Sequence, residues 1–173
     1  MKKYFVVYSL LVMLLFAAGC EPQQDEIITF LDNQYEILKP ASWRMLSDLN
    51  DEADLQMGNP FDTAYFIILS ENRADFEDTL TVGQHAHESV TTLVSAVKDA
   101  KITSGPVDIT VNGMEGVQYE ITGMIENVKI NYLHTTLQSK KHFHQIVAWS
   151  LPSNFAKNKK DYDRVINSIK EVM

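Results

Sequence analysis

The alternation of apolar and polar positions after residue 26 predicts a β-rich start to the folded part. Apolar runs at 27–30 and 35–38 flank the turn-forming residues Asp32, Asn33 and Gln34, which predicts a β-hairpin. The stretch 64–70 is apolar without alternation, as is typical of a strand covered on both faces. We therefore expect structural layers on both sides of a sheet.

The spacing of apolar residues changes at Val82 to the period of a helix. Thr81 precedes this stretch and is a suitable N-cap. Positions at intervals of three and four residues form one stripe of an amphipathic helix, and its members are Val82, Ala86, Val90, Leu93, Val94 and Val97.

Four further strands are predicted between the helices. Residues 107–111 and 117–121 alternate between apolar and polar, with Asn112-Gly113 as the turn between them. Strands are also expected at 128–138 and 143–151, joined by a loop at 139–142. Connections this short make the sheet mainly antiparallel. The predicted fold class is α+β, with a central, mainly antiparallel sheet and helices packed against it.

The last predicted element is a second amphipathic helix. We expect Asp161 and Asp163 in its first turn, where the helix dipole favours acidic residues. Pro152 opens the segment and allows one extra turn ahead of it. The predicted apolar stripe consists of Tyr162, Val165, Ile166, Ile169 and Val172.

The N-terminus has the three parts of an export signal. Lys2 and Lys3 precede an apolar run at 4–18, which ends in small residues. The run is shorter than the roughly 20 residues that span a hydrocarbon core. It therefore predicts a signal peptide at 1–19 rather than a stable membrane span.

The segment Phe16-Ala17-Ala18-Gly19-Cys20 resembles a bacterial lipobox, in which a cysteine after small residues receives a diacylglyceryl group. Ala17 stands where that pattern most often has Leu. The alternative is an ordinary secretory signal with Cys20 left as an unpaired thiol. Lipidation is the favoured interpretation, with residues 20–26 as a polar tether and 27–173 as one domain.

The predicted anchor places the protein in a bacterial cell envelope. Glu21 differs from the Asp that marks inner-membrane retention in enterobacterial lipoproteins. Three locations of the anchored protein are compatible with this: the inner membrane or the outer membrane, in both cases facing the periplasm, and the cell surface of a host with one membrane. The membrane itself is then one expected partner.

Composition narrows the function classes. The 173 residues carry a formal net charge of −8, which argues against nucleic-acid binding through clustered basic residues. The single cysteine excludes an internal disulfide framework and zinc sites built on several thiolates. We see no glycine-rich phosphate loop, dinucleotide fingerprint or nucleophile elbow, and we expect no cofactor.

The segment Tyr35-Glu36-Ile37-Leu38-Lys39-Pro40-Ala41-Ser42-Trp43 resembles the opening of PsbP-like and DcrB-like proteins. The single long helix from Val82 and the strand-turn-strand around Asn112-Gly113 fit the same plan. So does the closing Ile166-Asn167-Ser168-Ile169-Lys170, although relatives more often carry Phe at the position of Ile169. This resemblance implies an α-β-α sandwich that binds protein partners and has no common catalytic residues to carry over.

The histidines do not form a recognisable metal site. His87 and Glu88 begin a zinc-protease motif, but Thr91 occupies the position of its second histidine. His142 and His144 share a face of a strand, whereas a simple hairpin register puts His134 on the other face, opposite Val147. We therefore expect no metal.

The aromatic residues at sheet spacing are expected in the core rather than in a ligand site. These are Trp43, Phe66, Tyr119, Tyr132 and Trp149.

The leading function hypothesis is a lipid-anchored, non-catalytic accessory module that binds another envelope protein. Its expected contact surface is the basic hairpin tip of Lys140, Lys141, His142 and His144, although an ordinary solvated loop explains these residues too. A competing surface is the uncharged loop 57–61, with Phe61 exposed. The alternatives are an enzyme using His134 and His144 as acid-base groups, and a carrier of a small apolar ligand between sheet and helix.

Overall fold

The computed structural model describes residues 24–172, which form two helices and ten strands. The helices are α1 (Val82–Ala96) and α2 (Pro152–Ile166). The strands are β1 (Glu26–Phe30), β2 (Tyr35–Lys39), β3 (Arg44–Met45), β4 (Leu55–Asn59), β5 (Ala64–Asn72), β6 (Lys98–Val111), β7 (Met114–Ile125), β8 (Val128–Gln138), β9 (His142–Ser150) and β10 (Lys170–Glu171).

The strands form two sheets, and every pairing among the described strands is antiparallel. The large sheet has seven strands in the order β3-β4-β5-β9-β8-β7-β6, and the small one has the order β1-β2-β10. The predicted mainly antiparallel sheet is confirmed. The predicted hairpin at 27–38 is also confirmed as β1 and β2, but it forms a separate small sheet with β10, which the sequence did not indicate.

The large sheet is covered on both faces, as the unbroken apolar run of β5 predicts. One face packs against α1 through a cluster around Val90, Tyr119 and Ile121. The opposite face packs against α2 and the small sheet through a larger cluster around Phe66 and Ile166. This arrangement confirms the layered α+β fold.

The predicted start of α1 is confirmed at the level of single hydrogen bonds. Thr81 accepts a hydrogen bond from the backbone N–H of Gln84, and the Gln84 side chain accepts one from the backbone N–H of Thr81. This reciprocal pair is a capping box, which satisfies two otherwise free backbone donors.

The prediction for α2 is wrong at its start. The helix begins at Pro152, so Asp161 and Asp163 lie near its C-terminal end rather than in its first turn. Proline fixes a helical φ and needs no donor, which makes it a suitable first helical residue. The acidic residues instead pair with cations on the same helix, Asp163 with Lys159 and Asp161 with Arg164.

Two other predicted boundaries are corrected. The predicted loop 57–61 is mostly strand, because residues 57–59 belong to β4 and pair with β5. Only the short 3₁₀ turn Pro60–Asp62 separates the two strands from each other. Strand β6 begins at Lys98, well before the predicted 107, and its irregular register with β7 hides the alternation in the sequence.

No helix within residues 24–172 has both the length and the apolar character needed to cross a membrane. The predicted signal peptide and Cys20 lie outside the described residues.

Candidate functional site: a cleft between α1 and the large sheet

A cleft of about 620 Å³ lies between α1 and the part of the large sheet formed by β5, β9 and β8. Asn50, from the segment that joins β3 to β4, contributes to the far side. The cleft exists because α1 contacts mainly β6, β7 and β8, so the sheet surface of β5 and β9 is only partly covered. Its apolar lining includes Ile67, Leu69, Leu93, Val97, Val147 and Trp149.

Strand β8 contributes Tyr132 and His134 to the same cleft. The hydroxyl of Tyr132 and Nδ1 of His134 are buried and have no hydrogen-bond partner among the described residues. Burial, together with a smaller effect of the neighbouring His85, lowers the pKa of His134 to about 4. His134 is therefore a neutral imidazole near pH 7, with one nitrogen unpaired.

A polar cluster lies at one end of the cleft. His85 Nε2 is 2.9 Å from Glu71 Oε2, and Gln145 Nε2 donates to the same oxygen at 2.6 Å. The His85 ring stacks on Phe143 with a centroid separation of 4.3 Å. These contacts orient His85 and occupy one oxygen of the Glu71 carboxylate.

Ser89 lies beside His85 but does not complete a nucleophilic triad. Its Oγ is 3.4 Å from His85 Nδ1 and 2.9 Å from the backbone carbonyl of His85, to which it donates. A serine nucleophile must pass its proton to the imidazole. The contact with the carbonyl directs that proton away from the ring.

The two histidines that were considered as an acid-base pair lie on opposite faces of the large sheet. His134 pairs with Val147, as predicted, and lines the cleft, whereas His144 packs against Tyr35 with ring centroids 4.4 Å apart. They cannot act on one substrate. Within residues 24–172, no group of three His, Cys, Asp or Glu residues lies close enough together to hold a metal ion.

The predicted core positions of the aromatic residues are confirmed for Trp43, Phe66, Tyr119 and Tyr132, which are all buried. Tyr132 lines the cleft as well as being buried, whereas Trp149 lines it and is only half-buried. It stacks on Tyr65 with a centroid distance of 5.4 Å.

The four residues predicted for the basic hairpin tip differ in exposure. Lys140 and Lys141 are exposed, and His142 is half-buried, with Nδ1 2.9 Å from the Tyr35 hydroxyl. His144 is fully buried, and this burial, together with a smaller effect of His142, lowers its pKa to about 3. The prediction that His144 belongs to an accessible hairpin tip is therefore wrong.

Arg73 is a component of the tip that the sequence did not indicate. Its backbone N–H donates to the Lys141 carbonyl at 2.8 Å, and its guanidinium donates to the carbonyls of Ser139 and Lys140. Glu171 lies on the other side, with a carboxylate oxygen 3.9 Å from Lys140 Nζ. The tip thus consists of the exposed Lys140 and Lys141 and the half-buried Arg73, which is fixed by contacts with backbone carbonyls.

Phe61 lies at the opposite end of the sheet from the tip. It is 97% exposed, on the turn before β5, while the far end of β5 pairs Asn72 with His142. Asn59 caps this turn by accepting a hydrogen bond from the Phe61 N–H. The two surfaces predicted for a partner are therefore about 25 Å apart, at roughly 3.3 Å per residue of strand.

The fold has counterparts among solved structures. The solution structure of cyanobacterial PsbP (CyanoP) from Synechocystis sp. PCC 6803 matches with a TM-score of 0.65 and 11% identity, over 90% of this chain and 97% of that one. The domain has a PsbP-like fold. The crystal structure of LpqN from Mycobacterium tuberculosis, described as involved in cell envelope biogenesis, matches with a TM-score of 0.64 and 12% identity, over 87% of this chain and 91% of that one.

No protein-family profile matches the chain, and no curated protein matches it. At identities near 11–12%, the two solved structures establish the PsbP-like fold and leave activity to the residues of this chain.

Proposed function

We propose that this protein is a lipid-anchored accessory protein of the bacterial cell envelope, in which Cys20 carries the lipid and the PsbP-like domain binds another envelope protein without catalysis. The observation that carries the proposal is the segment resembling a lipobox that ends in Cys20, followed closely by the first strand of the domain at Glu26. LpqN, a structural neighbour whose description names cell envelope biogenesis, supports the location by analogy.

The tether is short because Asp25 is already bound to the folded domain. Its carboxylate accepts a hydrogen bond from the Ala41 N–H at 2.9 Å and pairs with Arg164. These interactions lower the pKa of Asp25, the Ala41 contact most. Five residue steps from Cys20 to Asp25 reach at most about 18 Å. An anchored domain would therefore stay close to the membrane surface.

This geometry favours the basic tip over Phe61 as the contact for a partner. The chain enters beside Glu26, which pairs with Lys39 at one end of the β1–β2 hairpin. The tip contacts the other end of that hairpin, where the Tyr35 hydroxyl is 2.9 Å from Ser139 Oγ. With the anchor at the Glu26 end, the tip would point away from the membrane.

Metabolic labelling with palmitate tests the anchor. We expect label in the wild-type chain and none in a Cys20→Ser variant, which should leave the membrane fraction or stay uncleaved. The chain has no other cysteine, so a thioether-linked lipid has only one possible position. An unlabelled wild-type chain would refute the anchor.

Crosslinking in native membranes tests the contact surface. We expect a Lys140→Glu, Lys141→Glu double variant to lose the crosslinked protein, and a Phe61→Ala variant to retain it. Salt should weaken the capture, because electrostatic steering is screened. If only Phe61→Ala lost the crosslinked protein, the partner would bind at the opposite end of the sheet instead of at the tip.

A further inference from the structure

Two residues that line the cleft each carry a buried polar atom without a hydrogen-bond partner among the described residues. The Tyr132 hydroxyl and His134 Nδ1 have no partner within residues 24–172, and both side chains are more than nine-tenths buried. An unpaired buried polar atom is destabilising, so such atoms usually have a partner. A hydroxyl group of a bound molecule would supply one.

The shape of the cleft favours a long molecule. Its helical wall follows one face of α1 from His85 through Ser89 and Leu93 to Val97, the C-cap residue, a length of about 18 Å at 1.5 Å per residue. Its volume of about 620 Å³ lies within the range of small-molecule sites. Much of the remaining lining is aliphatic, and this surface matches an alkyl chain.

The charges at the cleft select against an anionic ligand. Glu71 and Glu88 both line it, and no Lys or Arg side chain does so among the described residues. A carboxylate placed near them would be repelled and would also lose its hydration. The polar end of the ligand should therefore be uncharged.

We infer that this cleft binds an elongated aliphatic molecule with an uncharged, hydroxyl-bearing end, which hydrogen-bonds to Tyr132 and His134. The inference goes beyond the proposed function and does not depend on it, since the residues that carry it belong neither to the lipobox-like segment nor to the basic tip. An unlabelled Cys20 would leave it unaffected.

Photolabelling of the whole chain in phosphatidylcholine vesicles tests it. The probes are diazirine analogues of octanol and octanoate, which have equal chain length and differ in the charge of the end group. We expect the alcohol to label α1 and β9 peptides and excess octanol to compete. The carboxylate should label about fivefold less at equal concentration. Equal labelling by the two probes, or labelling that octanol does not reduce, would overturn the inference.

A matched pair of threonines on α1 provides a steric control. Thr91 and Thr92 are both exposed and both donate to the carbonyl four residues earlier, but only Thr92 lines the cleft. Thr92→Phe should abolish the competed labelling, whereas Thr91→Phe should leave it unchanged. The same result for both variants would contradict a site in the cleft.

Tyr132→Phe tests the polar contact separately from the apolar one. We expect the probe concentration for half-maximal alcohol labelling to rise about threefold to tenfold, the equivalent of one hydrogen bond. A thermal melt monitors folding, and the variant should be at least as stable as the wild type. An unchanged half-maximal concentration would remove Tyr132 from the site.

Discussion

The two faces of the large sheet are packed differently. The face toward α2 and the small sheet is almost completely buried, as its residues Phe66, Ile68, Ile146 and Ala148 show. The face toward α1 has a cleft of about 620 Å³, and the half-buried Trp149 lines it. We call these the closed face and the open face. The closed face has two covering elements, and the open face has one helix displaced toward β6 and β7. The closed face is therefore more completely packed, because more elements cover it.

The buried polar groups differ less between the two faces than the packing does. On the closed face, the Tyr35 hydroxyl contacts both Ser139 and His142, but His144 Nε2 has no partner among the described residues. On the open face, the Tyr132 hydroxyl has no partner among the described residues either. The two faces are therefore distinguished by the cleft and by how completely their apolar residues are buried.

Truncation of core side chains gives the largest expected difference between the faces. Trp43→Ala and Ile166→Ala, on the closed face, should each destabilise the domain by about 2–5 kcal/mol, because each leaves a cavity. Leu93→Ala on α1 should cost about 1–2 kcal/mol, since Leu93 is only half-buried. Urea unfolding of residues 24–173 measures all three. Equal costs would contradict the contrast between the faces.

Acidic pH should destabilise the domain through its buried histidines. Burial lowers the pKa of His144 to about 3 and of His134 to about 4, from 6.5 when exposed. Between those values and 6.5 the unfolded chain binds more protons, so stability is present above pH 6.5 and is lost as the pH falls. At about pH 5 the loss should be on the order of 2 kcal/mol per histidine.

The same experiment distinguishes the two faces. His144→Gln should remove more of the pH dependence than His134→Gln, because a small movement of the open face would hydrate His134. Urea unfolding at several pH values measures both slopes. A larger slope change for His134→Gln would mean that the open face is the more rigid one.

Removal of single hydroxyl groups gives the smallest expected effects, with a different outcome on each face. Tyr35→Phe should cost about 1–2 kcal/mol, because Ser139 and His142 lose a partner. Tyr132→Phe should be neutral or slightly stabilising, because its hydroxyl has no partner among the described residues. Thermal and urea melts measure both, and a comparable loss for Tyr132→Phe would point to a hydrogen bond formed in solution.

The sequence by itself determined the elements whose signals are local. The turn residues at 32–34 and Asn112-Gly113 mark hairpins, and Thr81 with Gln84 starts α1 through contacts three residues apart. The alternation along β8 and β9 also gave the register that separates His134 from His144, since a shift of one residue would reverse both faces. The resemblance of residues 16–20 to a lipobox is equally local, and the lipidation of Cys20 stays a prediction.

Only the tertiary structure decided the cleft and the composition of the tip. Glu71 and Gln145 meet across 74 positions of sequence, and Arg73 reaches the Lys140 carbonyl across 67. No periodicity encodes such contacts, because they depend on which strands pair and where α1 packs. The displacement of α1 toward β6 and β7 leaves the cleft open, and it places Tyr132 and His134 beside a space instead of beside a hydrogen-bond partner.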